Sequence, residues 1–543
     1  MRTFHLPAAL GERQFLAAPG ARRTSASPRR PPSSLFAQLT FALFLLPGSL
    51  VLPQARGRTQ TILKWKQLLR GRCLDGSASG YYVEQEPDPV LLKQKLENGV
   101  LIDFQGGGWC YGDTREATIA DCQKRAKTRL GSSSTYPKKM YRPAWRDRMA
   151  APFLHIFVPY CDGTSFSGNA VVAGLHFEGA TILRELMKSI SVMLFSAATD
   201  PFYIGPHGRI ILTGGSAGAS AVFYHADTMA HWFKEVAKSV TKNYEEKPRL
   251  HVLAAPNAGY FLKMNTTEGS RDLWGKQMTE LFRLSNGYKS LNEKCLTKFN
   301  KNPDKCLYEE NYGEMLQTQF LILQSKYDYS EITATLDIHC DLNKLCEDKE
   351  EGEQEGDTSK TTIDAAKNAE KEKQKSEANV KADIKEDAVR VEKRKTEADE
   401  NAVVPSRSPA SSKDLQSQNC CTKTQLQAVK DMWAEHWRRG EKMFKRNNYF
   451  LLDCVVHGVF GLAENNRQTN INGVTAEQAL YKFAVKGERV MLFDHRSWEL
   501  GAKDKYCARA EEVTELYGEQ VLGMIPEDFG EEVTEGNGPE IFV

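Results

Sequence analysis

The chain lacks several signatures that would assign it to a functional class at once. None of its twelve cysteines stands in a C-x-x-C pair, which removes the common zinc-ligand spacings. No G-x-G-x-x-G or G-K-[ST] sequence accompanies its glycine-rich stretch, which argues against a dinucleotide or phosphate cradle. Neither charge sign is in excess: 72 Lys and Arg face 70 Asp and Glu, a formal balance of +2. No basic stripe with interleaved aromatics occurs, so no nucleic-acid partner is expected. No internal repeat is visible, which excludes a solenoid. The one long apolar stretch, residues 35–52, is broken by Pro47, Gly48 and Ser49, which weakens a membrane-span reading.

What is present points outward from the cytosol. The even, scattered cysteines suit disulfides in an oxidising compartment. Arg29 and Arg30 precede the apolar stretch, in the order of the basic and hydrophobic regions of a signal peptide. Residues 1–57 therefore read as a leader with a signal peptide, and a membrane anchor through 35–52 is the alternative. The expected destination is the secretory pathway or the extracellular space. Asn265-Thr266-Thr267 is a glycosylation sequon in that setting.

A hydrophobic fraction of 41% is enough for a sizeable core, and its pattern divides the chain. Residues 58–346 and 413–543 read as one domain, interrupted by the insertion 347–412. That insertion is rich in Glu, Lys, Asp, Ala and Ser with almost no large apolar residues. It is expected to be disordered or a solvated helix. Apolar runs bounded by turn residues read as buried strands at 99–104, 154–158, 209–213, 251–254, 320–323 and 449–452. Helical patterns lie at 174–194, 217–237 and 423–444. The alternation predicts an α/β fold with a mostly parallel central sheet flanked by helices.

The chemistry begins where the apolar run 209–213 meets Gly214-Gly215-Ser216-Ala217-Gly218. Average glycine and serine usage gives roughly 0.2 chance matches to G-x-S-x-G in a chain of this length. The strand–turn–helix context is what adds weight. A sharp turn there pushes a serine hydroxyl out of the sheet edge, and glycines are needed because side chains would clash. A second strand ends in Gly106-Gly107-Gly108-Trp109. In the α/β-hydrolase arrangement an oxyanion hole combines the residue after the nucleophile with an N–H from such an earlier loop. Here those residues are Ala217 with Gly108 and Trp109.

A serine nucleophile needs a base, and the base needs an orienting acid, in the chain order Ser, Asp or Glu, His. Asp328 follows the strand-like FLILQSKY, with Asp337 and Asp341 as competitors. His339, His436, His457 and His495 lie downstream. His436 sits inside an amphipathic helical pattern and reads as a surface or packing residue. His339 follows Asp328 too soon. His457 and His495 both follow apolar runs, and spacing alone leaves both open.

Several stretches together resemble the pectin acetylesterases and Notum-type carboxylesterases. They are Cys73–Tyr82 (CLDGSASGYY), Gly106–Gly112 (GGGWCYG), Tyr160–Gly168 (YCDGTSFSG), Gly214–Gly218, Ser325–Asp328, Tyr449–His457 (YFLLDCVVH) and Val474–Phe483 (VTAEQALYKF). The resemblance spans roughly 60–500 except for the insertion. It implies an α/β-hydrolase-like fold, no metal, no cofactor and a triad of Ser216, Asp328 and His457, favouring His457 over His495. It implies an esterase acting on acylated polysaccharide, most simply by removing O-acetyl groups. The alternatives are removal of a fatty acyl group from a protein, and a secreted binding protein without turnover. Gly215 stands where plant members usually have Cys, which implies that one family disulfide is missing or re-paired. Asn257 and Lys263 stand where acidic residues are common. These departures bear on substrate preference more than on the chemistry.

Overall fold

The computed structural model describes residues 61–494, apart from 143–145, 147–148, 197–199, 242–247, 267–271, 343, 347–419 and 461–469. The leader 1–57, its apolar segment 35–52, the insertion 347–412 and His495 therefore lie outside the described residues. The chain divides into two units, Met1–Arg58 and Thr59–Val543, and the structure below is that of the second.

Its strands are β1 (Ile62–Arg72), β2 (Ala78–Gln85), β3 (Val100–Phe104), β4 (Lys139–Tyr141), β5 (Leu154–Val158), β6 (Ala170–Val172), β7 (Leu175–Phe177), β8 (Arg209–Gly215), β9 (His251–Asn257), β10 (Gln319–Tyr327), β11 (Asn448–Val455), β12 (Asn470–Ile471), β13 (Val474–Thr475) and β14 (Met491–Phe493). The α-helices are α1 (Pro89–Asn98), α2 (Arg115–Arg125), α3 (Gly179–Phe195), α4 (Ala217–Val240), α5 (Leu273–Leu284), α6 (Glu293–Lys298), α7 (Tyr329–Leu336), α8 (Lys423–Arg446) and α9 (Ala476–Tyr481).

One ten-stranded sheet carries the order β14-β11-β10-β9-β8-β3-β5-β2-β1-β4. Strands β14 through β5 are mutually parallel. Strands β2, β1 and β4 extend the sheet antiparallel. The parallel strands are buried on both faces, which is why VLIDF and LHIFV read as continuous apolar runs rather than alternating ones. Successive side chains still go to opposite faces. Ile102, Ile210, Ala254 and Ile322 join one core with α3 and α4. Leu101, Ile211, Leu253 and Leu321 join the other, with Phe153 and α9.

Helix α8 starts at Thr422, whose hydroxyl accepts the Gln425 N–H while the Gln425 side chain accepts the Thr422 N–H. The segment before the insertion and the segment after it meet in the same sheet, because β10 and β11 pair along their length. Helix α3 begins later than the pattern from 174 suggested, because Leu175–Phe177 pairs with β6 as a short hairpin instead. A turn at Gly174, φ 77°, joins the two.

Ten cysteines form five disulfides: Cys73–Cys161, Cys110–Cys122, Cys295–Cys306, Cys340–Cys421 and Cys346–Cys420. Among the described residues no helix is long and apolar enough to cross a membrane.

Because β3, β8, β9, β10 and β11 are parallel neighbours, their carboxyl ends share one edge of the sheet. Ligand sites of open α/β sheets form at that edge. The residues singled out by sequence follow those ends: Gly106–Trp109 after β3, Ser216 after β8, Asp328 after β10 and His457 after β11.

Candidate active site

Ser216 occupies the single position between β8 and α4, with φ 54° and ψ −124°. Non-glycine residues seldom take positive φ, and such strain is held only where the surroundings over-determine it. The surroundings here are close. A side chain at Gly214 would meet the Phe104 carbonyl oxygen at 2.7 Å, and one at Gly218 would overlap the same oxygen. The turn after β8 is thus pressed against the end of β3, and only glycine fits at both flanks. Gly215, by contrast, has open space where a side chain would be.

Asp328 is fully buried at the start of α7, and two roles meet in it. Its Oδ1 accepts the Glu331 N–H as a helix cap at 3.2 Å. The same carboxylate accepts from His457 Nδ1, at 2.8 Å to Oδ1 and 3.0 Å to Oδ2. Gln324 Nε2 donates to Oδ2 at 3.4 Å. Nδ1 therefore carries the proton of this contact, and Nε2 is the ring nitrogen turned away from the carboxylate. Val456 N–H donates to the Tyr327 carbonyl at 3.2 Å, fastening the backbone just before His457 to the backbone just before Asp328.

Ser216 and His457 are tied through a residue the sequence did not mark for this purpose. Asn257 ends β9, between β8 and β10. Its carbonyl accepts the Ser216 N–H at 3.0 Å. Its side-chain Oδ1 accepts the Val459 N–H at 2.8 Å. One buried asparagine thus joins the serine turn to the histidine loop.

The glycine loop after β3 is shaped for close approach. Gly107 and Gly108 take φ of 135° and 61°. Arg125 Nη1 donates to the Gly107 carbonyl at 2.9 Å, and its guanidinium lies 4.9 Å from the Tyr160 ring. Trp109 packs edge-on against Phe261 and Trp274, with ring centres 5.6 and 5.9 Å apart. Ala217 opens α4, where the first backbone N–H groups have no partner within the helix.

The competing residues go elsewhere. Asp337 pairs with His339 at 2.9 Å on the surface, and Asp341 pairs with Lys344 at 3.0 Å. His436, read from sequence as a surface or packing residue, is wholly buried and 2.9 Å from Glu331 Oε2. Burial opposes a charge on its ring, but the Glu331 carboxylate outweighs this and holds its pKa above the ordinary value. Asn265 is exposed, as a glycan acceptor requires. Among the described residues no group of three or more His, Cys, Asp or Glu side chains is placed to hold a metal ion.

The family-wide sequence profile of Pectinacetylesterase matches residues 54–382. Two curated relatives are pectin acetylesterases 5 and 4 of Arabidopsis thaliana. The first is 26% identical over 279 residues, covering 49% of this chain and 56% of the relative. The second is 27% identical over 272 residues, covering 48% and 57%. The chain thus spans somewhat more than half the length of these relatives. Among solved structures, the Wnt deacylase Notum from Drosophila superposes with a TM-score of 0.52 at 17% identity, covering 82% of this chain and 98% of that one. A second crystal form of the same protein gives 0.51. The fold is therefore α/β-hydrolase-like with a mostly parallel sheet, and with more than half of its length matched by the profile, the chain belongs to the pectinacetylesterase family.

Proposed function

We propose that the chain is a serine esterase that hydrolyses O-acyl esters through an acyl-enzyme on Ser216. The observation that carries this reading is the pair of Asn257 bonds. They couple the Ser216 turn to a loop whose histidine already holds a buried carboxylate at 2.8 Å. In the reaction, Ser216 Oγ attacks the ester carbonyl while His457 Nε2 takes the hydroxyl proton. The carbonyl oxygen becomes an oxyanion facing the N–H groups of Gly108, Trp109 and Ala217. Collapse breaks the ester bond, and His457 returns the proton to the departing alcohol. Water then adds to the acyl-enzyme with His457 again as base, releasing the carboxylic acid and restoring Ser216. Asp328 holds the imidazole tautomer throughout and stabilises the imidazolium that forms.

The substrate read here is an O-acetyl group on a polysaccharide, a reading supported by the family and its named relatives. A second reading is removal of a fatty acyl group from a protein. It is supported by the structural likeness to the Wnt deacylase Notum from Drosophila. The setting is the secretory pathway, supported by five disulfides. Within it, residues 1–57 act as leader or anchor and Asn265 as glycan acceptor.

The test compares p-nitrophenyl acetate with p-nitrophenyl palmitate and labels the enzyme with a fluorophosphonate. Faster acetate turnover, abolished in Ser216→Ala, supports the first substrate. Faster palmitate turnover supports the second. A folded protein that the fluorophosphonate does not label would mean a binding protein without turnover.

A further inference from the structure

The loop Tyr160–Gly168, which follows β5, is buried throughout, yet it is full of polar side chains. They fold it on itself. Asp162 accepts the N–H groups of Thr164 and Phe166 at 3.1 and 3.2 Å, as well as the Thr164 hydroxyl. Ser165 and Phe166 sit at φ of 50° and 59°, a region that residues other than Gly, Asn and Asp rarely occupy. Its first two residues are tied down. The Tyr160 N–H donates to Gln105 Oε1 at 3.0 Å, and Cys161 is bonded to Cys73.

This construction delivers one hydroxyl between two loops. Ser165 Oγ donates to the Ala217 carbonyl at 2.7 Å and accepts the Trp109 indole N–H at 2.9 Å. The direction is dictated by the partners, because an indole N–H only donates and a carbonyl only accepts. The Ser165 backbone is fixed as well: its N–H donates to the Tyr160 hydroxyl at 3.1 Å, and its carbonyl lies 3.2 Å from His225 Nε2.

Trp109 lies in the loop after β3 and Ala217 opens α4, so the two sides of the oxyanion hole belong to separate elements. Donors of such a hole act only if they converge, about 2.7–3.1 Å from one point. We infer that Ser165 is a positioning residue that sets the separation of Trp109 and Ala217 and locks the rotation of the Trp109 indole. The inference rests on the esterase reading above. It gives the YCDGTSFSG segment a function in the reaction, although none of its residues touches the reacting atoms.

Ser165→Ala removes the hydroxyl and keeps Cβ. Turnover of p-nitrophenyl acetate is measured per fluorophosphonate-reactive Ser216, so misfolded molecules do not count. The expected result is a kcat lower by about tenfold to a hundredfold, less than the roughly 10²–10³ of an outright lost donor. KM stays within about twofold, since the support matters mainly in the transition state. A trifluoromethyl ketone, whose adduct carries the oxyanion, should lose affinity by the same factor as kcat/KM. Trp109→Phe keeps a ring and removes the indole N–H. It should show the same split between kcat and KM, and the double variant should be no worse than the more severe single one. If Ser165→Ala does not fold, Trp109→Phe carries the test alone. Wild-type kcat and ketone affinity in either variant overturn the positioning role while leaving the esterase reading intact. A wild-type enzyme unlabelled at Ser216 sinks that reading, and the positioning role with it.

Discussion

Asn257 accepts the Val459 N–H through its side chain while its own carbonyl accepts the Ser216 N–H. The Ser216 turn and the His457 loop are therefore referenced to one residue of one strand. Asn257→Ala removes only the Val459 contact. A buried hydrogen bond lost from one side costs about 1–3 kcal/mol. If that is felt mostly as misplacement of His457, kcat falls by roughly ten- to a hundredfold. Asn257→Asp keeps the acceptor and should recover most of the loss. Steady-state kinetics on p-nitrophenyl acetate separate the two. Equal rates in Asn257→Ala and wild type would remove the coupling.

Asp328 both caps α7 and holds His457. Asp328→Asn keeps an oxygen for the cap but offers an amide where the ring needs an acceptor. In the serine-protease template this exchange costs about 10⁴ in kcat through the wrong tautomer, and a loss approaching that size is expected here. Thermal unfolding should move far less than it does in Asp328→Ala, which also loses the cap, worth about 1 kcal/mol. Activity near wild type in Asp328→Asn would assign the base or its partner elsewhere.

The three glycines of the serine turn should separate sharply. A side chain at Gly218 overlaps the Phe104 carbonyl oxygen, whereas one at Gly215 enters open space. Gly218→Ala should destabilise the fold by several kcal/mol or prevent soluble expression. Gly215→Ala should lie within about 0.5 kcal/mol of wild type. Denaturant midpoints at matched pH check the contrast, and similar midpoints for both variants would contradict the close packing.

His225 is buried against Ser167 Oγ and the Ser165 carbonyl, and burial lowers its pKa from the ordinary 6.5 to about 4. Between those values the unfolded chain binds a proton at this ring that the folded chain does not. Stability is thus fully present above about pH 6.5 and declines as pH falls toward 4, by at most roughly 3 kcal/mol from this one group. His155, whose pKa burial also lowers, adds to the same trend. Urea midpoints at pH 7.5 and pH 5 for wild type and His225→Asn isolate the His225 share. An unchanged pH dependence in the variant would refute it.

The parallel strands were legible because burial on both faces turns them into unbroken apolar runs, and LHIFV matched its strand residue for residue. The antiparallel side was not. In β1 the alternation of Leu63, Lys64, Trp65 and Lys66 is lost at Gln67, Leu68 and Leu69, and Leu69 lies 91% exposed. Strand ends and chain order marked Ser216 and narrowed its partners to Asp328, Asp337 or Asp341 and to His457 or His495; the family resemblance then favoured Asp328 and His457. Ser165 and Asn257 carried no such mark. A serine and an asparagine are ordinary loop residues until the sheet brings their partners from other strands. For His436 the packing half of the reading holds, but its partner Glu331 lies on another helix and leaves no trace in the helical pattern. Asp162 and the positive φ at Ser165 were hidden too, although the density of small polar residues in YCDGTSFSG was a usable hint of a folded buried loop.

Cys340–Cys421 and Cys346–Cys420 close the chain on both sides of the region 347–419, with Cys421 N–H on the Lys344 carbonyl and Cys346 N–H on the Cys421 carbonyl between them. Asp328 lies before this clasp and His457 after it. A protease that cuts anywhere between Cys346 and Cys420 would thus yield two disulfide-joined chains, with Asp328 on one fragment and His457 on the other. The fragments would run as one species on a non-reducing gel and separate only after reduction, because the clasp keeps both halves of the sheet in one covalent molecule.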